Sequence, residues 1–231
     1  MKVRAFLVGL AIVAGVMVAA PAAHAISFDL TSCHVTGGCG TQTIFGTVSL
    51  TQVGANVNFD VELLGGNRFV ETGAADFQLF KFNNAGLGNT AADIINEATV
   101  NPANAVPGGI DGTQAGVPGG FNGDGTGQFT FGVACITKSD CNGGSTPTFT
   151  GLTFTVLNAT IADLTHTNNL GNVFVADVLI ASNGLTGPID VNQGGGIGGS
   201  LIPEPATLLL LGSGLFGLGL VGRVRNRLRK K

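Results

Sequence analysis

Four cysteines are the residues of this chain with the clearest capacity for covalent chemistry. They form two pairs with equal spacing, Cys33 with Cys39 and Cys135 with Cys141. Four cysteines allow three disulfide connectivities, and in an oxidising compartment a bridge within each pair is the simplest choice. Each bridge would close a short loop and contribute ~2–3 kcal/mol. A metal site that uses Cys33, Cys39 and His34 is the alternative, but it lacks the short C-x₂-C spacing of zinc knuckles. The sequence therefore favours two disulfides.

Paired carboxylates are the second candidate for chemistry, because glycoside hydrolysis uses two of them about 5–9 Å apart. Asp60 with Glu62, or Asp76 with Glu71, could supply such a pair. Residue alternation places Asp60 and Glu62 on one strand face, where a solvated charged surface is the favoured interpretation. A secreted hydrolase acting on polysaccharide through paired carboxylates is thus the alternative function.

Other catalytic patterns are missing from the sequence. It contains no G-x-S-x-G and no H-E-x-x-H, and only His34 and His166 lie beyond the first 25 residues. It also lacks Trp and Tyr, on which sugar-binding sandwiches stack their ligands. We therefore predict a non-enzymatic protein with no catalytic, cofactor-binding or metal residues.

A Gly-rich segment, residues 122–127, offers oxygen atoms that could hold Ca²⁺. An EF-hand loop would need a Glu at its twelfth position, where Val133 stands, so a plain turn is favoured. In a sharper hypothesis, Asp111 and Asp124 bind Ca²⁺ and bridge the domain to anionic exopolysaccharide. The favoured explanation of the acidity is solubility.

Charge is distributed very unevenly along the chain. Residues 26–202 hold three basic and thirteen acidic residues, a formal charge of −10. Such a surface repels phosphate backbones, which argues against a nucleic-acid partner.

These residues must be positioned by strands, because several segments alternate apolar and polar residues. The clearest are 55–64, 128–134 and 151–157, while 47–53 and 76–82 are weaker. Segment 172–181 is apolar on both faces except at Asp177, which predicts a central strand. Asp177 itself is either on a solvated face or a buried acceptor of hydrogen bonds, and the solvated face is the commoner case. Clusters of Gly, Asn, Asp and Pro separate the strands. The pattern predicts an all-β fold, a single two-sheet antiparallel β-sandwich.

Three segments between or beyond these strands carry separate predictions. Residues 90–100 contain the one possible helical turn, and 101–127 form a long irregular connection. Residues 188–201 are a Gly-rich linker that comes after a β-sandwich ectodomain of residues 26–187.

The N-terminus has the three parts of a secretory signal peptide. Lys2 and Arg4 precede an apolar run over 5–20, and Ala23 and Ala25 supply the small residues read by signal peptidase. We expect cleavage after Ala25, so that residues 1–25 are removed.

The C-terminus has a proline-flanked acidic motif, an apolar stretch and a basic tail in that order. Pro203, Glu204 and Pro205 precede the uncharged stretch 206–222, which spans roughly 25 Å as a helix and is long enough to cross a bilayer with slight thinning. The basic residues of the tail stay on the cytoplasmic side, which places the motif on the outer side. Residues 202–231 thus predict a membrane-inserted sorting signal.

This arrangement closely resembles the PEP-CTERM sorting signals of diderm bacteria. The resemblance implies that an exosortase recognises Pro203, Glu204 and Pro205 while the helix of 206–222 holds the substrate in the inner membrane. It implies export by signal peptidase and exosortase to the cell surface or the extracellular matrix. The predicted role there is structural or binding.

Four short stretches also resemble sandwich domains that often accompany PEP-CTERM tails, and those domains are similar to cohesin-like folds. The stretches are 69–73, 152–156, 174–178 and 183–187. Because most such domains have no assigned activity, this resemblance bears on the fold alone.

Overall fold

The computed structural model describes residues 24–72, 77–85, 88–100, 106, 108–115, 120–143, 149–192 and 200–201. Strands joined by turns and irregular connections make up most of these residues. The strands are β1 (Ala25–Leu30), β2 (Ser32–Cys33), β3 (Gly46–Val53), β4 (Asn56–Leu63), β5 (Arg68–Phe69), β6 (Phe80–Phe82), β7 (Ile94–Val100), β8 (Ile110–Gln114), β9 (Phe121–Asn122), β10 (Gln128–Phe129), β11 (Phe131–Cys135), β12 (Gly151–Val156), β13 (Asn172–Leu179), β14 (Thr186–Asn192) and β15 (Ser200–Leu201). The predicted signal peptide, transmembrane helix and basic tail lie outside the described residues.

Sheet A contains the strands with the clearest alternation. Its order is β15-β1-β3-β4-β12-β7, and every neighbouring pair is antiparallel. In β4, Val57, Phe59 and Val61 are buried, whereas the alternating positions Asp60 and Glu62 are exposed, as predicted. A period of two therefore buries one face of this sheet and leaves the other in water.

Sheet B is assembled from segments that are far apart in the chain. Its order is β2-β14-β13-β6-β11-β8, with the short strand β5 also paired to β13, and these ladders are antiparallel. Strand β13 lies between β14 and β6 and is buried on both faces, which confirms the prediction of a central strand for 172–181. Strands β9 and β10 form a separate two-stranded hairpin.

One hydrophobic core takes side chains from both sheets. Phe59 of β4 stacks on Phe154 of β12 with ring centroids 4.4 Å apart, and contacts Phe82 of β6 at 5.3 Å and Phe174 of β13 at 5.9 Å. Stacked and edge-to-face contacts of this kind stabilise beyond the area they bury, by about 0.5–1.5 kcal/mol each. Residues His24–Ile202 form one compact unit around this core, an arrangement that fits the predicted sandwich.

The helical segments differ from the prediction. In the range 90–100 the helical turn is limited to Ala91–Asp93, where Asp93 Oδ2 accepts a hydrogen bond from Thr90 N at 2.7 Å. The chain then pairs with β12 as β7, so most of this range is a strand. A short helix, α1 (Ile161–Leu164), was not predicted; it is capped by Thr160 and Asp163. Local caps set both turns, whereas pairing with β12 makes residues 94–100 a strand.

Two segments predicted to be irregular contain paired strands. The range 101–127 includes β8 and β9, while residues 101–105, 107 and 116–119 lie outside the described residues. The predicted linker 188–201 overlaps β14, whose Ile189 and Val191 are in the core, and ends in β15. The alternation there is only three residues long and is flanked by Gly and Pro, so the sequence pattern underestimates the strand.

None of the described helices is long and apolar enough to cross a membrane.

Candidate functional site

Described residues next to the two predicted processing sites lie in sheet A. Ala25 begins β1, whereas Ala23 and the motif residues 203–205 lie outside the described residues. Ile26 pairs with Leu201, and Ser27 pairs with Ser200. The predicted signal peptidase cleavage point and the chain leading into the sorting motif therefore meet on neighbouring strands.

Both cysteine pairs form the bridges that were the simplest choice in the sequence. Cys33 is bonded to Cys39 and Cys135 to Cys141, with Cα atoms 6.3 and 6.2 Å apart. The first bond occupies both sulfurs of the alternative metal site. In the parts of the chain described, no group of three or more His, Cys, Asp and Glu side chains could hold a metal ion.

The Gly-rich segment 122–127 forms the tight turn between β9 and β10. Asn122 Oδ1 accepts a hydrogen bond from Asp124 N at 3.2 Å, and Thr126 Oγ1 donates to Gly123 O at 2.7 Å. Asp111 lies on β8 and lines a different cavity from Asp124. The structure does not bring the two carboxylates of the calcium hypothesis together.

The predicted carboxylate pairs occupy different environments. Asp60 and Glu62 are exposed on the outer face of sheet A, opposite Ser49 and Thr47 of β3. Of the second pair, Asp76 lies outside the described residues, whereas Glu71 is 1% exposed. Neither arrangement places two described carboxylates across a cleft, as glycoside hydrolysis requires.

Glu71 is held against the loop closed by the Cys135–Cys141 bond. Its Oε1 accepts a hydrogen bond from Cys135 N at 3.0 Å, and its backbone N–H donates to Cys141 O at 2.7 Å. Burial raises the pKa of the Glu71 carboxyl to about 7, against the opposing hydrogen bond from Cys135 and the charge of Lys138. Glu71, which follows β5, thus binds both ends of the disulfide loop, Cys135 and Cys141.

Of the two environments predicted for Asp177, the favoured solvated face is wrong, and the structure shows the alternative, a buried hydrogen-bond acceptor. Asp177 is 0% exposed, and its Oδ2 accepts a hydrogen bond from Lys81 Nζ at 3.1 Å; Lys81 is 1% exposed. Alternation correctly predicts that Asp177 points to the other face of the sheet from its neighbours Ala176 and Val178, which face the core. That opposite face of sheet B, however, is covered by loops, and a buried carboxylate needs a counter-charge.

A Ser-His-Asp cluster that sequence reasoning missed lies at the edge of sheet B. Ser32 Oγ and Asp190 Oδ2 lie 3.0 and 3.2 Å from the same nitrogen, His34 Nε2. A catalytic triad needs the serine and the carboxylate on different ring nitrogens, so this geometry cannot relay a proton from Ser32. Burial raises the pKa of Asp190, and Ser32 and His34 oppose that rise. The other histidine, His166, is exposed after α1.

A cavity of about 380 Å³ opens on the outer side of sheet B beside the second disulfide. Its walls come from β8, β11, the segment before β6 and the disulfide loop. The described residues that line it are Phe77, Gln78, Asp111, Thr113, Ala134, Cys135, Ile136 and Lys138. Asp111 is the only one of these residues that the sequence had singled out for binding.

The comparisons with known proteins concern the C-terminus. Residues 201–229 match the PEP-CTERM protein-sorting motif. The chain carries a PEP-CTERM sorting signal. This match confirms the predicted signal within one residue of its expected start, and it indicates an exosortase-sorted protein of the cell surface or extracellular space, exported through the membrane. No curated protein and no solved structure matches the chain significantly, so the cohesin-like resemblance rests on the sequence stretches alone.

Proposed function

We propose that this PEP-CTERM protein is a non-enzymatic component of the cell envelope or extracellular matrix, whose β-sandwich ectodomain has a structural or binding role. The match of residues 201–229 to the sorting motif carries this proposal. Its order of events is export, removal of residues 1–25 by signal peptidase, insertion of 206–222 in the inner membrane, and processing by an exosortase at Pro203, Glu204 and Pro205.

The geometry of sheet A is compatible with this route. Cleavage after Ala25 removes one residue of β1 and leaves Ile26, the residue that pairs with Leu201, at the new N-terminus. The disulfides support the route, because such bonds form and persist in oxidising, exported compartments. Since β15 ends at Leu201, only Ile202 separates the last described strand from the motif that the exosortase reads.

The role after sorting is proposed to be binding or scaffolding, with exopolysaccharide as the partner. In favour of this role, the exposed carboxylates Asp60 and Glu62 lie on an open strand face, and the one Ser-His-Asp cluster among the described residues shares a single nitrogen. These arrangements suit surface contacts better than bond cleavage.

Intact mass spectrometry of the protein from its native cells tests the proposal. We expect a mature chain that begins at Ile26 and has lost the basic residues of the tail. The variant Glu204→Ala should retain that tail and accumulate in the inner membrane, whereas Glu62→Ala, which removes the same residue type from an exposed strand, should be processed like the wild type. A mature wild-type chain that still ends at Lys231 would contradict exosortase processing and favour a simple anchor.

A further inference from the structure

The wall of the cavity beside the second disulfide includes a buried acceptor that has no hydrogen-bond partner among the described residues. Gln78 lines this cavity, is 4% exposed, and lies against the flat backbone of β11, where a Cβ at Gly132 would come within 2.7 Å of Gln78 Cγ. Its Oε1 makes no hydrogen bond to any described residue. A buried, unpaired amide oxygen costs about 1–3 kcal/mol, a cost that a ligand would relieve only if the Gln78 side chain turned its amide toward the cavity.

Two opposite charges line the same cavity without neutralising each other. Asp111 is exposed on β8, and Lys138 is the one exposed Lys or Arg in the described parts of the chain. They form no ion pair, because Lys138 Nζ is instead held 3.7 Å from the centre of the Phe77 ring. Thr113 donates its hydroxyl proton to Gly132 O at 3.0 Å, which leaves its oxygen lone pairs as acceptors. The cavity thus offers one strong donor, Lys138, and two acceptors, Asp111 and Thr113.

The wall that carries Lys138 is held in position before any ligand binds. The Cys135–Cys141 bond closes the loop, and Glu71 binds Cys135 N and Cys141 O. Phe77 adopts φ 53°, a left-handed conformation that costs a bulky residue of order 1 kcal/mol and persists only where its surroundings hold it. Pre-positioned walls reduce the entropy lost on binding, which is typical of a binding site.

We propose that this cavity binds one unit of a neutral saccharide; this inference rests on the proposed role of the domain in binding exopolysaccharide. Sugar hydroxyls donate and accept at once, so neighbouring hydroxyls can donate to Asp111 and Thr113 Oγ1 while another accepts from Lys138 Nζ. The side chain of Ile136, 61% exposed, supplies apolar surface for the C–H face of a sugar ring. The formal charge of −10 on residues 26–202 disfavours a polyanionic chain.

An array of oligosaccharides tests the ligand class, with the full chain in detergent as the probe protein. It should hold neutral glucose, galactose, mannose and xylose oligomers, together with alginate and polygalacturonate fragments. Free amino acids are tested separately by calorimetry, because Lys138 and Asp111 would also suit a zwitterion. We expect binding to a neutral oligomer. Stronger binding to the acidic fragments or to amino acids would overturn the assignment, and so would binding to none.

Variants then test the location. Lys138→Gln and Asp111→Asn should each weaken binding of the neutral oligomer by about tenfold or more, because each removes a charged hydrogen-bond partner. Glu62→Gln, a matched change on the outer face of sheet A, should bind like the wild type. Equal affinities in all four proteins would contradict the proposal. Processing of the wild-type chain is measured independently, so loss of the saccharide site would leave the proposed sorting function standing.

Hydrogen exchange on the wild-type protein checks the same location without a substitution. The neutral oligomer should slow amide exchange in β8 and in residues 134–138 and leave β4 unchanged. Protection confined to sheet A would place the ligand elsewhere and refute the proposed site.

Discussion

The outer faces of the two sheets differ in what covers them, although the same alternation of residues builds both. On sheet A, Asn58, Asp60 and Glu62 of β4 point into water. On sheet B, Lys81 and Asp177 hold equivalent positions, each between core-facing neighbours, yet both are at most 1% exposed. A layer of loops makes the difference.

Three contacts define that layer. Asn172 Nδ2 donates to Thr126 O at 2.7 Å, Glu71 accepts from Cys135 N, and Gln78 lies against Gly132. In sheet A, polar residues on the outer face interact mainly with each other and with water, as in the 2.9 Å hydrogen bond from Thr155 Oγ1 to Asn58 Oδ1. The comparison shows that charged residues on a strand identify its polar face but do not determine whether that face is exposed to solvent.

The largest effect should come from Lys81→Met. Without the ammonium group, the carboxylate of Asp177 stays buried without its ion-pair partner, and the free energy of unfolding should fall by about 3–5 kcal/mol. Urea unfolding of the full chain in detergent, followed by far-UV circular dichroism, measures this; the chain has no Trp or Tyr for fluorescence. The exposed Lys138→Met is the matched control, with a loss of at most about 1 kcal/mol. Equal losses of unfolding free energy in the two variants would show that the outer face of sheet B behaves like an exposed surface.

The second effect is a pH dependence that originates in the loop layer. The folded state keeps the proton of Glu71 up to about pH 7, whereas the unfolded chain releases it near the ordinary value of 4.5. Stability is therefore greatest below the unfolded pKa and falls by up to about 3 kcal/mol as the pH rises through the folded pKa. Burial raises the pKa of Asp190 too, and it adds to the same trend.

Glu71→Gln should remove most of this slope between about pH 5 and about pH 8 while keeping an acceptor for Cys135 N. Unfolding midpoints measured across that window give the answer. Glu62→Gln on the exposed face should leave the slope as it is. If the wild type and Glu71→Gln have the same pH profile, Glu71 does not titrate in the buried layer.

The third effect comes from removing the second disulfide, which should affect the sheet B side alone. Both disulfides belong to the sheet B side, since Cys33 is in β2 and Cys135 in β11. Cys135→Ala with Cys141→Ala should lower the free energy of unfolding by about 2–3 kcal/mol and speed amide exchange in 135–143. Exchange in β4 should stay unchanged. Faster exchange throughout both sheets would mean that the loop layer is not a separate unit.

The smallest effect should be found on the exposed face of sheet A. Asp60→Asn combined with Glu62→Gln removes two solvated charges and should change the free energy of unfolding by no more than about 0.5 kcal/mol. The same urea titration measures it. A loss above about 2 kcal/mol would show that these carboxylates have buried or paired roles that their exposure does not reveal.

Much of the fold was predictable where patterns are local. Alternation identified β3, β4 and β12, a run apolar on both faces identified β13, and the equal spacing of the cysteines favoured the two bonds that form. Prediction failed where pairing with distant strands outweighed local signals. Residues 94–100 come directly after a capped turn yet join β12, and Gly187 and Pro188 lie within β14 although both residue types usually weaken strands.

The candidate site was less predictable, because its parts are far apart in the chain. Lys81 and Asp177 are 96 residues apart, and Glu71 and Cys135 are 64 apart. Nothing in the neighbouring residues of Glu71 marks it as buried. The cavity beside the disulfide loop needs three separate segments to form, and of its lining residues only Asp111 had been considered for binding.

By itself, the sequence determined the sorting signal at the C-terminus and the alternation that sorts residues between strand faces. A peptidase or a membrane reads such linear motifs without a folded partner. Only the tertiary structure decided that the polar face of sheet A stays in water while that of sheet B is buried under loops. The buried face contains the ion pair of Lys81 with Asp177, and beside it burial raises the pKa of Glu71. Burial depends on which distant segments cover a strand, and a period of two records the direction of a side chain but not what lies above it.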